Sequence, residues 1–291
     1  MSTALVTDST AYLPTDLLEG LHVRVVPLHV VIGGHEHSEG VDIDAAAVAS
    51  ALRRFTPVST SRPAPAAFVE AYAGAAADGA DAVVSVHISG DMSSTIAGAD
   101  LAAAESPVPV TVVDSRALGM AMGYAVLAGA RLAAGGASAE DVADAVRATC
   151  AASTVVFYVD TLEYLRRGGR IGKAGALLGS ALSIKPILGL RDGHIVPLER
   201  VRTSTRAIAR LEELSVEAAT SLPRGAHGVD VAVHHLDSPE RAERLAERLR
   251  SRLGDAVAVR VVELGAVVGA HVGPGTLAVA VVPRVVPVVA R

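Results

Sequence analysis

The stretch AVVSVHISGDMSSTIAGADLAAAESPVPVTVVDS, residues 82–115, decides the fold. Ala82 to Ile88 is a short, nearly continuous apolar run rich in Val, the pattern of a strand covered on both faces. Ser89 to Ser94 is polar and contains Gly90, so the chain turns there. Ser93 to Glu105 is Ala-rich and reads as a helix, and Val110 to Val113 reads as a second strand ending on Asp114-Ser115. Strand, helix, strand within 34 residues predicts a parallel pair joined by a helical crossover.

The same alternation extends outward. Ala4 to Thr7 reads as a strand, Pro14-Thr15-Asp16 as the start of a short helix, and Val23 to Val26 and Leu28 to Ile32 as extended segments turned by Gly33-Gly34. Helices are predicted over Ala45 to Phe55, from Pro65 to about Asp78, from Asp114-Ser115 to Gly135-Gly136, and after a Ser138 cap. Thr60 to Pro65 reads as a loop because of Pro63 and Pro65. Near Ser153 the pattern changes. Two adjacent strands, Pro186 to Leu190 and Ile195 to Val201, flank Asp192-Gly193, which implies an antiparallel pair and a mixed sheet. The expectation is an α/β protein of two domains, a parallel-sheet α/β domain over residues 1–152 followed by a mixed-sheet α/β domain over 153–291. A cleft between them is a natural ligand site.

Composition narrows the function. The 291 residues are 51% hydrophobic but only 3% aromatic, with no Trp, so the apolar mass is Ala, Val, Leu and Ile. Such residues fill a core or line a smooth apolar cavity. A net charge of −5 lacks the basic footprint of a nucleic-acid binder, which disfavours a DNA-associated regulator. The single Cys150 gives no disulfide framework and fits a reducing, cytoplasmic setting. The opening MSTALVTDST does not read as a secretory signal. Ala117 to Leu127 is cut short as a membrane span by Arg131, and Leu264 to Pro283, broken by Gly273-Pro274-Gly275, reads as two strands around a turn.

Three predicted strand ends carry hydroxyl and acidic residues: Thr7-Asp8-Ser9-Thr10, Ser89 to Thr95, and Asp114-Ser115. Ligands of open parallel sheets bind beyond such ends. Ser93 and Ser94 stand where a helix begins, and either cap it or offer hydroxyls to an anion. Thr60-Ser61-Arg62-Pro63-Ala64-Pro65 is a stiff hydroxyl-bearing segment with the same two readings. His271 is a structural or a functional histidine beside a Gly-Pro-Gly turn. Gly168-Gly169-Arg170-Ile171-Gly172-Lys173 fails the P-loop spacing, and no G-x-S-x-G surrounds any serine. His35-Glu36-His37 sits in a predicted hairpin turn without a third ligand in view, so no metal is expected.

In their order and spacing these segments resemble the DegV family of bacterial fatty-acid-binding proteins. The likeness rests on Thr7-Asp8-Ser9-Thr10, Gly40-Val41-Asp42-Ile43, Thr60-Ser61-x-Pro63-x-Pro65, His87-Ile88-Ser89, Ser93-x-Thr95 and Asp114-Ser115 in the first half. In the second it rests on Thr161 to Ile171, Lys185-Pro186-Ile187-Leu188, Arg202-Thr203 and His271 to Gly275. The resemblance implies a carrier, not an enzyme, that holds one long-chain, palmitate-like fatty acid in a tunnel between two α/β domains without a further cofactor. It implies that Thr60 and Ser93 bind the carboxylate, with Ser61, Ser94 and His271 as secondary candidates. It further implies a partner fatty acid kinase, with Arg170, Arg202 and His271 facing that step. A monomer that touches the membrane surface transiently fits this role. Arg62 stands where the family has Gln, Ala64 where it has Ser, and Ser93-Ser94-Thr95-Ile96 where it has Ser-Gly-Thr-Tyr. The rival reading is a hydrolase or acyltransferase using Ser93, His271 and a carboxylate such as Asp114.

Overall fold

The computed structural model describes residues 2–177 and 184–285. The outer ends of the two predicted halves, residue 1 and residues 286–291, and part of the Gly-rich stretch, 178–183, lie outside the described residues. The chain runs β1 (Thr3–Asp8), β2 (Val23–Val26), β3 (His29–Ile32), β4 (His35–Ser38), α1 (Ala45–Arg53), β5 (Val58–Ser61), α2 (Pro65–Ala77), β6 (Ala82–His87), α3 (Thr95–Ala103), β7 (Val110–Asp114), α4 (Met120–Ala134) and α5 (Ala139–Ala152). It continues with β8 (Thr154–Tyr158), α6 (Glu163–Arg167), β9 (Lys185–Arg191), β10 (His194–Val201), α7 (Ser204–Thr220), β11 (Ala226–His235), α8 (Pro239–Leu253), β12 (Ala258–Glu263), α9 (Ala266–Val272) and β13 (Leu277–Val285).

Among the described residues the strands form three sheets. The order β2-β1-β6-β7 is wholly parallel, as the strand–helix alternation predicts. The order β10-β9-β8-β13-β11-β12 is mixed: only β11 and β12 run parallel, and β9 and β10 form the antiparallel pair expected around Asp192-Gly193. A small antiparallel sheet, β4-β3-β5, stands apart.

Side-chain alternation builds the layers. Ala4 and Val6 of β1 pack with Phe68, Tyr72 and Ala99 of α2 and α3. Leu5, between them, points the other way and joins α4 and α5. That helix pair also meets Ala232, Ala280 and Val282 from the mixed sheet, so it is buried between two sheets. Helices sandwiched this way need small residues, and Ala121, Ala125, Ala130 and Ala143 supply them. The opposite face of the mixed sheet, with Val231, Val233, Val279 and Val281, packs on Leu211 of α7 and Leu245 and Leu249 of α8. Among the described residues no helix is long and apolar enough to cross a membrane.

The structure corrects the sequence reading in several places. Thr60 and Ser61, read as the start of a loop, instead end a strand, Val58–Ser61, in which Thr60 lies opposite Val30 of the small sheet. Pro63 restricts only Arg62 before it, and Pro65 opens α2 at a position where its missing N–H is harmless. Ala266–Val272, read as part of a strand, is helix α9. All but one of its residues are buried, so no apolar stripe marks its period. His35-Glu36-His37 is strand rather than turn, and α3 starts at Thr95 rather than Ser93.

One buried histidine ties the mixed sheet to the start of α4. His234, on β11, accepts the Met120 N–H at the start of α4 through Nε2 (3.0 Å). Its Nδ1 therefore carries the proton and donates to the Val262 carbonyl (3.0 Å). Burial holds its pKa down at about 4. The unfolded chain takes up this proton near pH 6.5 and the folded chain only near 4, so the stabilisation is complete above about pH 6.5 and is lost as pH falls toward 4. We expect urea unfolding to show a loss of about 3 kcal/mol across that window attributable to this residue. The slope should flatten in His234→Gln, and an unchanged slope would show that this ring does not govern the acid limb.

Candidate functional site

Where the small sheet, the start of α3, the α6 end and α9 converge, they enclose a cavity of about 280 Å³. Its polar wall includes Thr60, Ser61, Ser93, Ser94, Arg170 and His271, six residues drawn from four separate parts of the sequence. Its apolar wall includes Leu28, Ile88, Met92, Leu165, Val267 and Val268. Behind that wall Leu165 and Val268 join Phe157, Leu188 and Leu264 in one continuous apolar cluster. The cavity thus combines hydroxyls, a guanidinium and an imidazole with an aliphatic lining.

Each polar residue is held by its backbone element. Thr60 is placed by the β3–β5 ladder, and its Oγ1 lies 2.8 Å from His271 Nε2. His271 sits near the end of α9, against Gly168, where any Cβ would collide with the imidazole. Its Nδ1 is buried and has no hydrogen-bond partner among the described residues. Burial, and then the nearby Arg170 charge, lower its pKa to about 4, so the ring is neutral at pH 7. Arg170 donates from Nε to the Met92 carbonyl (3.0 Å) and from Nη1 to the Gly168 carbonyl (2.7 Å). It thereby ties the loop that carries Ser93 to the turn that abuts His271. Ser93 Oγ lies 2.8 Å from Thr95 Oγ1 and accepts the Thr95 N–H at 3.3 Å. Ser94, at the N-cap of α3, makes no side-chain capping bond. Ser61 donates to Glu36 (3.2 Å), and Arg62 donates to the Ser94 carbonyl (3.3 Å), joining β5 to the α3 loop.

Arg202 is not part of this wall. It is exposed in the turn between β10 and the Thr203 cap of α7. Asp114 is absent from the wall as well: its carboxylate accepts the backbone N–H groups of Gly90 and Arg116. Since His271 Nε2 pairs with Thr60 and Ser93 pairs with Thr95, Ser93, His271 and Asp114 do not form a hydrogen-bonded relay. The described residues hold a Ser85–His87–Asp8 chain (2.7 and 3.1 Å), but all three side chains are shut off from solvent.

A second cavity, of about 550 Å³, adjoins the first. Thr60, Arg170 and His271 line both spaces, and Leu52, Phe55, Tyr164 and Arg167 line only the second. Sequence reading missed the apolar wall because isolated Leu, Ile and Val residues look like ordinary core. Only their convergence distinguishes them, and sequence spacing does not reveal it.

Comparison with known proteins places this geometry in context. A family model described as "Uncharacterised protein, DegV family" matches residues 2–284. A DegV domain-containing protein of Streptomyces coelicolor is 49% identical over 281 residues, covering 97% of this chain and 98% of that protein. One from Deinococcus radiodurans is 39% identical over 286 residues, covering 97% and 99%. Among solved structures, a fatty-acid-binding DegV family protein from Thermus thermophilus superposes with a TM-score of 0.88 at 35% identity, covering 97% of this chain and all of that one. DegV from Bacillus subtilis, a fatty acid binding protein, gives a TM-score of 0.87 at 32% identity, covering 97% and 99%.

Proposed function

This chain belongs to the DegV family, and from that membership and the cavity's chemistry we propose that it binds one long-chain fatty acid, with the carboxylate at Thr60 and Ser93. The observation that carries the reading is one cavity lined both by hydroxyls and by side chains of a continuous aliphatic cluster, in a family whose solved members from Thermus thermophilus and Bacillus subtilis bind fatty acids. The acyl chain lies between the two halves, which in this reading divide at residues 152 and 153. Burying a methylene gains roughly 0.8 kcal/mol, so about fifteen contribute on the order of 12 kcal/mol before ordering costs. The carboxylate must be hydrogen-bonded, because an unpaired charge in such a site costs several kcal/mol.

The Thr60–His271 pair supplies a mechanism. A threonine hydroxyl has one proton. If His271 Nε2 carries its own proton and donates to Thr60 Oγ1, the Thr60 hydroxyl is free to donate to the carboxylate. The neutral ring permits this tautomer, since nothing among the described residues claims Nδ1. Binding of an anion selects it. Ser61, Ser94 and His271 are secondary contacts in this reading. Native mass spectrometry of freshly purified protein should show an adduct of roughly 250–300 Da, the size of a ligand that fills one pocket. Ser93→Ala and Thr60→Ala should each weaken binding of added palmitic acid about tenfold or more without unfolding the protein. A clean apo mass with no uptake of added acid would refute the reading, and ester hydrolysis that vanishes in Ser93→Ala would replace it with the hydrolase.

The second cavity gives this site a further step. The bound carboxylate is presented through the Thr60–His271 gate to a partner fatty acid kinase, whose phosphoryl group is met by arginine. Arg170 lines both cavities, and Arg202 is exposed at the surface, so both suit a polyanionic group. In a reconstituted assay with a bacterial fatty acid kinase, Arg202→Ala should keep lipid affinity near wild type and lose acyl-phosphate formation. Normal phosphorylation in that variant would remove Arg202 from the reaction.

A further inference from the structure

Four of the residues that wall the first cavity, Leu28, Ile88, Val267 and Val268, share a feature unrelated to their side chains. Each has a backbone N–H that no strand ladder or helical bond claims among the described residues, and donates it to one of four neighbouring polar side chains. Ile88 donates to Asp8 Oδ2 (2.9 Å), Leu28 to Ser9 Oγ (3.0 Å), Val267 to Glu39 Oε1 (2.8 Å) and Val268 to the Tyr12 hydroxyl (3.3 Å). Three of the acceptors, Ser9, Tyr12 and Glu39, are themselves joined, and Asp8 precedes Ser9 in the chain. Ser9 donates to Glu39 Oε2 (2.5 Å), and Tyr12 donates to Glu39 Oε1 (3.4 Å). Asp8 is anchored further by Thr10 and by His87.

Those N–H groups come from the segment between β2 and β3, from the end of β6, and from the first turn of α9. Among the described residues no strand ladder holds these three to one another. Asp8 and Glu39 are almost wholly buried, and burial raises the Glu39 pKa, so its carboxylate is costly to hold without these donors. Gly265 completes the fit, because a Cβ there would collide with the Glu39 carboxylate and the Tyr12 ring. A polar cluster so placed does more than satisfy orphan donors. It fixes the mutual spacing of four aliphatic walls drawn from opposite ends of the chain.

We propose that Asp8, Ser9, Tyr12 and Glu39 are positioning residues for the acyl chain, setting the cross-section of the apolar cavity and thereby which chain shapes it accepts. The inference rests on the fatty-acid reading above and deepens it. None of the four side chains needs to touch the ligand. Each acts through the backbone of a residue that lines the space.

The test measures affinity for a saturated acid and a cis-unsaturated acid of equal length, together with thermal stability, in wild type, Ser9→Ala, Glu39→Ala, Glu39→Gln and Leu245→Ala. Leu245 is buried in the far core against α7 and serves as the destabilised control. Glu39→Ala and Ser9→Ala should lose about tenfold in affinity and level the preference between the two acids, because one hydrogen-bond anchor of the wall is gone. Glu39→Gln retains an acceptor for the Val267 N–H and should recover part of both. Leu245→Ala should melt earlier yet keep wild-type affinity and preference. Ser9→Ala carries the test should Glu39→Ala not fold. The inference is overturned if the Ser9 and Glu39 variants keep wild-type affinity and preference, or if Leu245→Ala loses as much. Wild-type protein that takes up neither acid removes the functional reading and this inference with it. Wild-type uptake with unchanged variants removes this inference alone.

Discussion

The hydrogen bond between Thr60 and His271 joins residues 211 positions apart, both of which line two cavities. Much of the structure around it exists to bring those two side chains together. Thr60 is fixed by an antiparallel ladder in a small sheet of the first half. His271 is fixed by a seven-residue helix of the second half, too short to be stable alone and buried on nearly every side. That helix is held at its start by Glu39 and Tyr12, and near its end by the close approach of Gly168. Together these supports position the histidine, and with it the hydroxyl that it meets.

The rest of the fold supplies rigidity. Two sheets grip the α4–α5 pair from opposite sides, and His234 pins the start of α4 to β11. The loop after β6 is then held from three directions: Asp8 takes the Ile88 N–H, Arg170 takes the Met92 carbonyl, and Ser89 donates to the Gly193 carbonyl in the second half. Ser93 therefore sits on a loop that has little freedom to relax around an incoming anion. Sites built on such supports lose little entropy on binding, which favours affinity.

Legibility from sequence followed burial pattern. The parallel sheet was readable because Val runs such as Ala82 to Ile88 alternate with Ala-rich helices. The β9–β10 hairpin was readable because Asp192-Gly193 supplies the turn. Helix α9 was not, since a segment buried all round shows no period and its Val residues favour strand. β5 was hidden because its two nearby prolines act just beyond its end. The candidate site divides similarly. Thr60, Ser93 and His271 were equally readable as caps or structural residues from local pattern, and their grouping came from the likeness to the DegV family. Asp8 and Ser9 stand out in the sequence as a polar strand end, and in the structure both accept backbone N–H groups. Glu39 carried no signal, because the N–H it accepts is 228 residues away.

The central claim is that the polar wall of the 280 Å³ cavity receives a fatty-acid carboxylate. A crystal structure of the protein grown with palmitic acid tests it most directly. The account predicts carboxylate oxygens within about 3 Å of the Thr60 and Ser93 hydroxyls, His271 still bonded to Thr60, and the chain running past Val268 and Leu165. A carboxylate bound elsewhere, with Thr60 and Ser93 retaining only their present partners, would contradict it.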